Sequence, residues 1–124
     1  MFFLILKAYI KLIHFDFSIG RRAFADLHEK VRACAVGTNA TAHGDVERIC
    51  SAVDLACIWY WKEVRCLQRS AATACLLKRH GVAAQMVIGA QQIPFKAHAW
   101  VEVNGRVVND KPYTPEMYSV LERC

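Results

Sequence analysis

The sequence predicts an α+β domain, with helices first and a small antiparallel sheet after them. Three observations carry this. Apolar residues recur at helical spacing through most of the stretch up to Arg79. After Gly81 the pattern changes to short alternating runs. Asn104-Gly105 then separates two such runs, as hairpin loops do. Helices followed by strands, rather than strands alternating with helices, mark α+β. With 124 residues, 55% of them hydrophobic, the chain can bury one core in a single domain. Residues 1–44 read as a helical N-terminal part and 45–124 as the core that carries the chemistry.

Residues 2–15 form an apolar helix with Lys7, Lys11 and His14 on one stripe. Asp16-Phe17-Ser18 is expected to break it, and Ser18 to cap a second helix over 19–35 despite Gly20. Residues 37–44 have loop composition. Asp45 reads as the N-cap of a helix to Trp61, with Val46, Ile49, Cys50, Val53, Cys57 and Tyr60 on one face. The stretch from Cys66 to Arg79 has few polar residues and no Gly or Pro, so it reads as a buried helix closed by Gly81 at C′. Lys78, Arg79 and His80 suit its last turn. Strands are expected over 85–89, 95–103 and 106–110, with a turn at 91–94. Thr114-Pro115-Glu116 opens a final helix expected to run to the C-terminus.

Charge and cysteine content bound the function. A net charge of +5 suits an acidic partner, but the basic residues are scattered and match no nucleic-acid motif. Nucleic acid is therefore not an expected partner. The six cysteines show no CxxC pair and no zinc-type spacing, so no metal is expected. Cys50, Cys57, Cys66 and Cys75 fall within apolar helical patterns and read as reduced thiols of a cytoplasmic protein rather than a disulfide framework. The apolar run Met1–Leu6 is too short to span a membrane, and no signal-peptide cleavage site follows it. Its helix is expected to dock on the chain's own core, and membrane association is not expected.

The chemistry lies in three residues. Cys66, His98 and Asp110 supply a thiol, an imidazole and a carboxylate in that order. Thiol catalysis needs a thiolate to attack, a histidine to carry the proton, and a third group to orient the ring. Cys66 opens a helix, where the positive end of the dipole and the neighbours Arg65 and Arg69 favour the thiolate.

These residues sit in a pattern that resembles a known family. Cys66-Leu67-x-Arg69-Ser70, Leu76-Leu77-x-x-x-Gly81, Val87-Ile88-Gly89, Pro94-Phe95-x-Ala97-His98-Ala99-Trp100-Val101-Glu102 and Gly105-x-Val107-Val108-x-Asp110 resemble the transglutaminase-like leader peptidases of lasso-peptide biosynthesis. The resemblance covers about half of the chain, from Cys66 to Asp110. It implies a papain/transglutaminase-like fold, with the sheet packed on the nucleophile helix. It also implies a cysteine peptidase without cofactor that removes the leader from a ribosomally made precursor peptide. Cys66 would be the nucleophile, His98 the base and Asp110 the orienting acid. The implied partners are the precursor, a separate small leader-recognition protein and the ATP-dependent lasso cyclase, this chain being the free-standing form. Two rival readings are acyl transfer to an amine, as in true transglutaminases, and a non-catalytic scaffold that presents the leader.

Around the triad, the backbone N–H of Cys66 is the expected first oxyanion donor, with the Trp61 indole or the Gln68 amide as the second. Trp61 also reads as a core residue. Arg65 and Arg69 either attract an acidic leader or face water. Trp100 reads as packing under the site and as a candidate substrate contact. Asp54 and Glu102 read as solvated or capping charges.

The register of the last hairpin is a sharper expectation. A two-residue Asn104-Gly105 loop pairs Val103 with Arg106 and puts Asp110 opposite Ala99, on the face away from His98. A three-residue loop with a G1 bulge pairs Glu102 with Arg106 and sets His98 opposite Asp110. The other face is then Ala97, Ala99, Val101 and Val107, apolar apart from Asn109. The triad therefore selects the three-residue loop, with φ > 0 at Gly105.

Overall fold

The computed structural model describes residues 2–34, 43–61, 64, 66–92, 95–112 and 114–124. Three helices come first: α1 (Phe2–Ala33), α2 (His43–Trp59) and α3 (Cys66–Arg79). Two strands follow, β1 (Ala84–Gln92) and β2 (Phe95–Val103), then the short β3 (Arg106–Val107), α4 (Thr114–Met117) and β4 (Ser119–Arg123). The strand order is β3-β2-β1-β4, and every pairing is antiparallel. The α+β class expected from the sequence is therefore found.

The core lies between the helices and one face of the sheet. Ala8, Leu12 and Phe15 of α1, Ile49, Val53 and Ala56 of α2, and Ala71 to Leu77 of α3 meet Met86, Ile88, Ala99 and Val101. Hydrogen bonds fasten the α1–α3 seam. Gln68 Nε2 donates to Leu12 O at 2.7 Å, and the buried Lys78 Nζ donates to Val31 O at 3.0 Å. The second is a cation satisfying a carbonyl in the last turn of α1.

α1 corrects the expected break, since one helix runs through Ser18 and Gly20. A glycine costs a helix only about 1 kcal/mol. Packing at both ends outweighs it, with Leu12 and Phe15 buried near the start and Val31 near the end. α1 docks on the core as expected, although Phe3, Leu6 and Ile10 stay exposed on its outer side. Among the described residues, no helix is long and apolar enough to cross a membrane.

α2 begins two residues before Asp45. The expected loop over 37–44 falls mostly outside the described residues, as does the tip of the 91–94 turn. α3 keeps its expected limits. It ends in a Schellman motif, with Val82 N on Leu77 O, Gly81 N on Lys78 O, and Gly81 at φ 84°.

The thiols also require a correction. Cys34 and Cys75 form a disulfide with a Cα–Cα distance of 5.7 Å, while Cys50, Cys57, Cys66 and Cys124 are free. Spacing hid the pair, because the two cysteines are 41 residues apart and only the packing of α1 on α3 brings them together.

The C-terminus differs most from expectation. The last helix stops at Met117, and 119–123 pair with β1 as a fourth strand. Cys124 and Met86 exchange backbone bonds of 2.9 and 3.0 Å beyond its end. A stretch of five residues is too short for its own pattern to choose between helix and strand. The open edge of β1 offers unpaired backbone groups, and these select the strand.

Candidate active site

Cys66 is the first residue of α3, half-buried and with a free thiol. Ser70 lies one turn on and shares its face of the helix. Ser70 Oγ donates to Ala99 O of β2 at 3.0 Å. This bond ties the helix that Cys66 opens to the residue next to His98.

Alternation along β2 turns Ala99 and Val101 to the helical core and His98, Trp100 and Glu102 to the other face. His98 is stacked there against two aromatic rings. The centroid of Tyr118 lies 5.3 Å away at 24°, and that of Trp100 6.1 Å away at 29°. Gly89 is the cross-strand partner of His98, and a Cβ on it would come within 2.8 Å of both Trp100 Cη2 and Tyr118 Cβ. The aromatic layer thus occupies the space that a side chain at 89 would need.

Trp100 is fully buried, so it offers substrate no surface, and its candidate contact role falls. It packs beneath His98 as expected. Its Nε1 donates to Glu102 Oε2 at 2.8 Å, and Arg123 Nη1 donates to Glu102 Oε1 at 2.7 Å. Glu102 is therefore a buried acid held by two donors, not a solvated charge.

The hairpin register is also corrected. Val103 pairs with Arg106 and Glu102 with Val107, across a two-residue loop. Asn104 at φ 53° and Gly105 at φ 76° make it the type I′ turn that Asn-Gly favours. The expected positive φ at Gly105 holds. Asp110 nevertheless reaches His98, with Nε2 and Oδ2 2.6 Å apart. It does so because β3 ends at Val107 and the chain leaves the ladder. Val108 N still donates to Val101 O at 2.9 Å, but Val101 N donates at 2.7 Å to the side-chain Oδ1 of Asn109. Past that point the backbone is free of the register, and Asp110 swings to the His98 side.

Asp110 is held as a carboxylate. Burial pushes its pKa up, but the hydrogen bond from His98, the Lys111 N–H on Oδ1 at 2.8 Å and the charge of Arg69 outweigh burial and set it below the ordinary value. An ionised carboxylate only accepts, so His98 donates through Nε2. In the neutral ring this tautomer leaves the lone pair on Nδ1.

Residues 10–123 match the Transglutaminase-like superfamily. The chain belongs to that superfamily. It is also similar to the Microcin J25-processing protein McjB of Escherichia coli, with 41% identity over 56 residues. Those residues are 45% of this chain and 27% of that protein, so the match spans about a quarter of the relative's length. No solved structure matches.

In this transglutaminase-like chain the other candidates separate. Trp61 is 71% exposed with its ring 5.9 Å from Tyr60, so it is not a core residue. Gln68 is buried and its amide nitrogen bonds α1, where it serves the helix seam rather than an oxyanion. Arg69 is half-buried, and its Nη2 donates to Asn109 O at 2.9 Å. Arg65 lies outside the described residues. Asp54 is exposed, as expected. Sequence reasoning missed Tyr118, hidden in a stretch read as helix, and Asn109. The one available signal for Asn109 was its polarity among otherwise apolar positions.

Proposed function

We propose that this chain is a cysteine peptidase that cleaves the leader from a lasso-peptide precursor, with Cys66 as nucleophile, His98 as base and Asp110 as the group that orients the ring. The observation that carries the reading is the 2.6 Å His98–Asp110 contact, on a strand bonded one helical turn along from Cys66. The likeness to a microcin-processing protein supplies the substrate class.

With Nε2–H given to Asp110, Nδ1 takes the thiol proton. The thiolate attacks the last leader carbonyl, and the oxyanion is met by the backbone N–H of Cys66, one of the donors that a helix start leaves without an intrahelical acceptor. The C–N bond breaks as His98 passes its proton to the departing core amine. Water, deprotonated by the same ring, then hydrolyses the thioester and releases the leader acid and the free thiol. No cofactor enters this scheme. Leader recognition falls to a separate small protein, and the freed core passes to an ATP-dependent cyclase. The reaction is placed in the cytoplasm, where the precursor is made.

The test is precursor cleavage with and without the leader-binding protein, by wild type and Cys66→Ala. Wild type should cleave well only with the partner, and the variant should not cleave. Unchanged cleavage by Cys66→Ala would leave the chain a scaffold. Amine adducts of the leader in place of its free acid would make it an acyltransferase, because hydrolysis and amine transfer differ in product mass.

A further inference from the structure

We infer that Asn109 is the positioning residue of the His98–Asp110 pair: its side chain ends the β2–β3 ladder so that Asp110 can turn to His98, and fastens that junction to the helix that Cys66 opens. The inference rests on the proposed role of those three residues.

The register argues it first. With Val103 on Arg106 and Glu102 on Val107, continued pairing would set Val108 on Val101, Asn109 on Trp100 and Asp110 on Ala99. A residue opposite Ala99 shares its face, which is the helical one, and Asp110 would point away from His98. Continuing requires Val101 N–H to donate to the carbonyl of Val108, since directly opposed hydrogen-bonded residues exchange both bonds. Only half of that exchange is made, Val108 N on Val101 O. The other half goes to Asn109 Oδ1 at 2.7 Å. The amide side chain stands in for a backbone carbonyl, so the ladder stops with its donor satisfied rather than orphaned.

The rest of Asn109 reaches α3. Its Nδ2 donates to Ser70 Oγ at 3.1 Å, and its backbone carbonyl accepts from Arg69 Nη2 at 2.9 Å. Ser70 in turn donates to Ala99 O. One residue therefore joins strand, helix and the turn that delivers Asp110. Asparagine is suited to this because one short side chain carries both an acceptor and a donor.

The test reads the His98 ring rather than turnover. In ¹⁵N-labelled protein, the ring spectrum reports which nitrogen holds the proton and whether that proton is hydrogen-bonded. Wild type should show a bonded Nε2 proton, and Asp110→Ala, which has no acceptor, should lose that signal. Asn109→Ala removes both side-chain bonds, and Asn109→Gln carries the same groups one methylene too far. Both should lose the signal while the amide spectrum stays folded. If the alanine variant does not fold, the glutamine variant decides. A folded Asn109→Gln protein that keeps the bonded Nε2 proton overturns the inference. This outcome is independent of the peptidase reading. Failure of Cys66→Ala to stop cleavage would remove the reaction and leave the ring spectra as they are.

Discussion

His98 and Asp110 lie 2.6 Å apart although the hairpin between them has a register that, continued, would put them on opposite faces. The contact exists because β3, the second strand of that hairpin, is only two residues long. Tight pairing and the His98–Asp110 contact therefore compete for the same backbone, and the predictions below follow from that competition and from the packing around it.

Asp110→Asn should lower turnover by up to about 10⁴-fold, the cost of removing the carboxylate that orients a catalytic histidine. The same variant tests linkage. Because the folded-state pKa of Asp110 is depressed, its stabilisation is fully present above the ordinary carboxylate value and is lost as pH falls through the folded value. Denaturant titrations should show wild type more stable than Asp110→Asn at neutral pH, with the gap closing in acid. A gap that widened as pH fell would contradict the assigned direction.

Gly89→Ala should destabilise the protein by about 1–3 kcal/mol, the range for overpacking a filled space. The added Cβ would meet Trp100 Cη2 and Tyr118 Cβ, both at 2.8 Å, beneath the His98 ring. Moving either ring disturbs the stack on His98, so turnover should fall further than stability alone explains. Thermal unfolding and cleavage rates measured side by side check this.

Iodoacetamide near neutral pH should label Cys66 first. Burial, with nearby acids adding to it, pushes Cys50 and Cys57 up to about 11, leaving little thiolate. Cys34 and Cys75 are bonded to each other, and the buried Cys124 donates its thiol to Met86 O. Peptide mapping by mass spectrometry reads the order, and faster labelling of Cys124 would count against the site.

Reducing the Cys34–Cys75 bond should cost about 4 kcal/mol, from the entropy of a loop of this length in the unfolded chain. Unfolding midpoints with and without dithiothreitol measure it. Cys34→Ser should match the reduced protein, and a midpoint insensitive to reductant would show that the bond contributes nothing.

Where a residue's own pattern decides its structure, the sequence by itself determined the outcome. α3 is the clearest case: an apolar run without Gly or Pro, cations in the last turn and a left-handed Gly81 define it from Cys66 onward. β2 and a hairpin at Asn104-Gly105 were legible for the same local reason, because alternation and positive φ are properties of neighbours in the chain, although the loop has two residues rather than the expected three. The proposed nucleophile, base and acid were named from their order and from a family resemblance. What only the tertiary structure decided involves partners far apart in sequence. The edge of β1 made 119–123 a strand, and the packing of α1 on α3 paired Cys34 with Cys75. Burial turned Glu102 from a surface charge into the bonded partner of Trp100 and Arg123. The hairpin register shows the division within one element: Asn104-Gly105 chose the two-residue loop locally, while Asp110 met His98 because the Asn109 side chain found an amide on β2 and a hydroxyl on α3, partners 8 and 39 residues away along the chain.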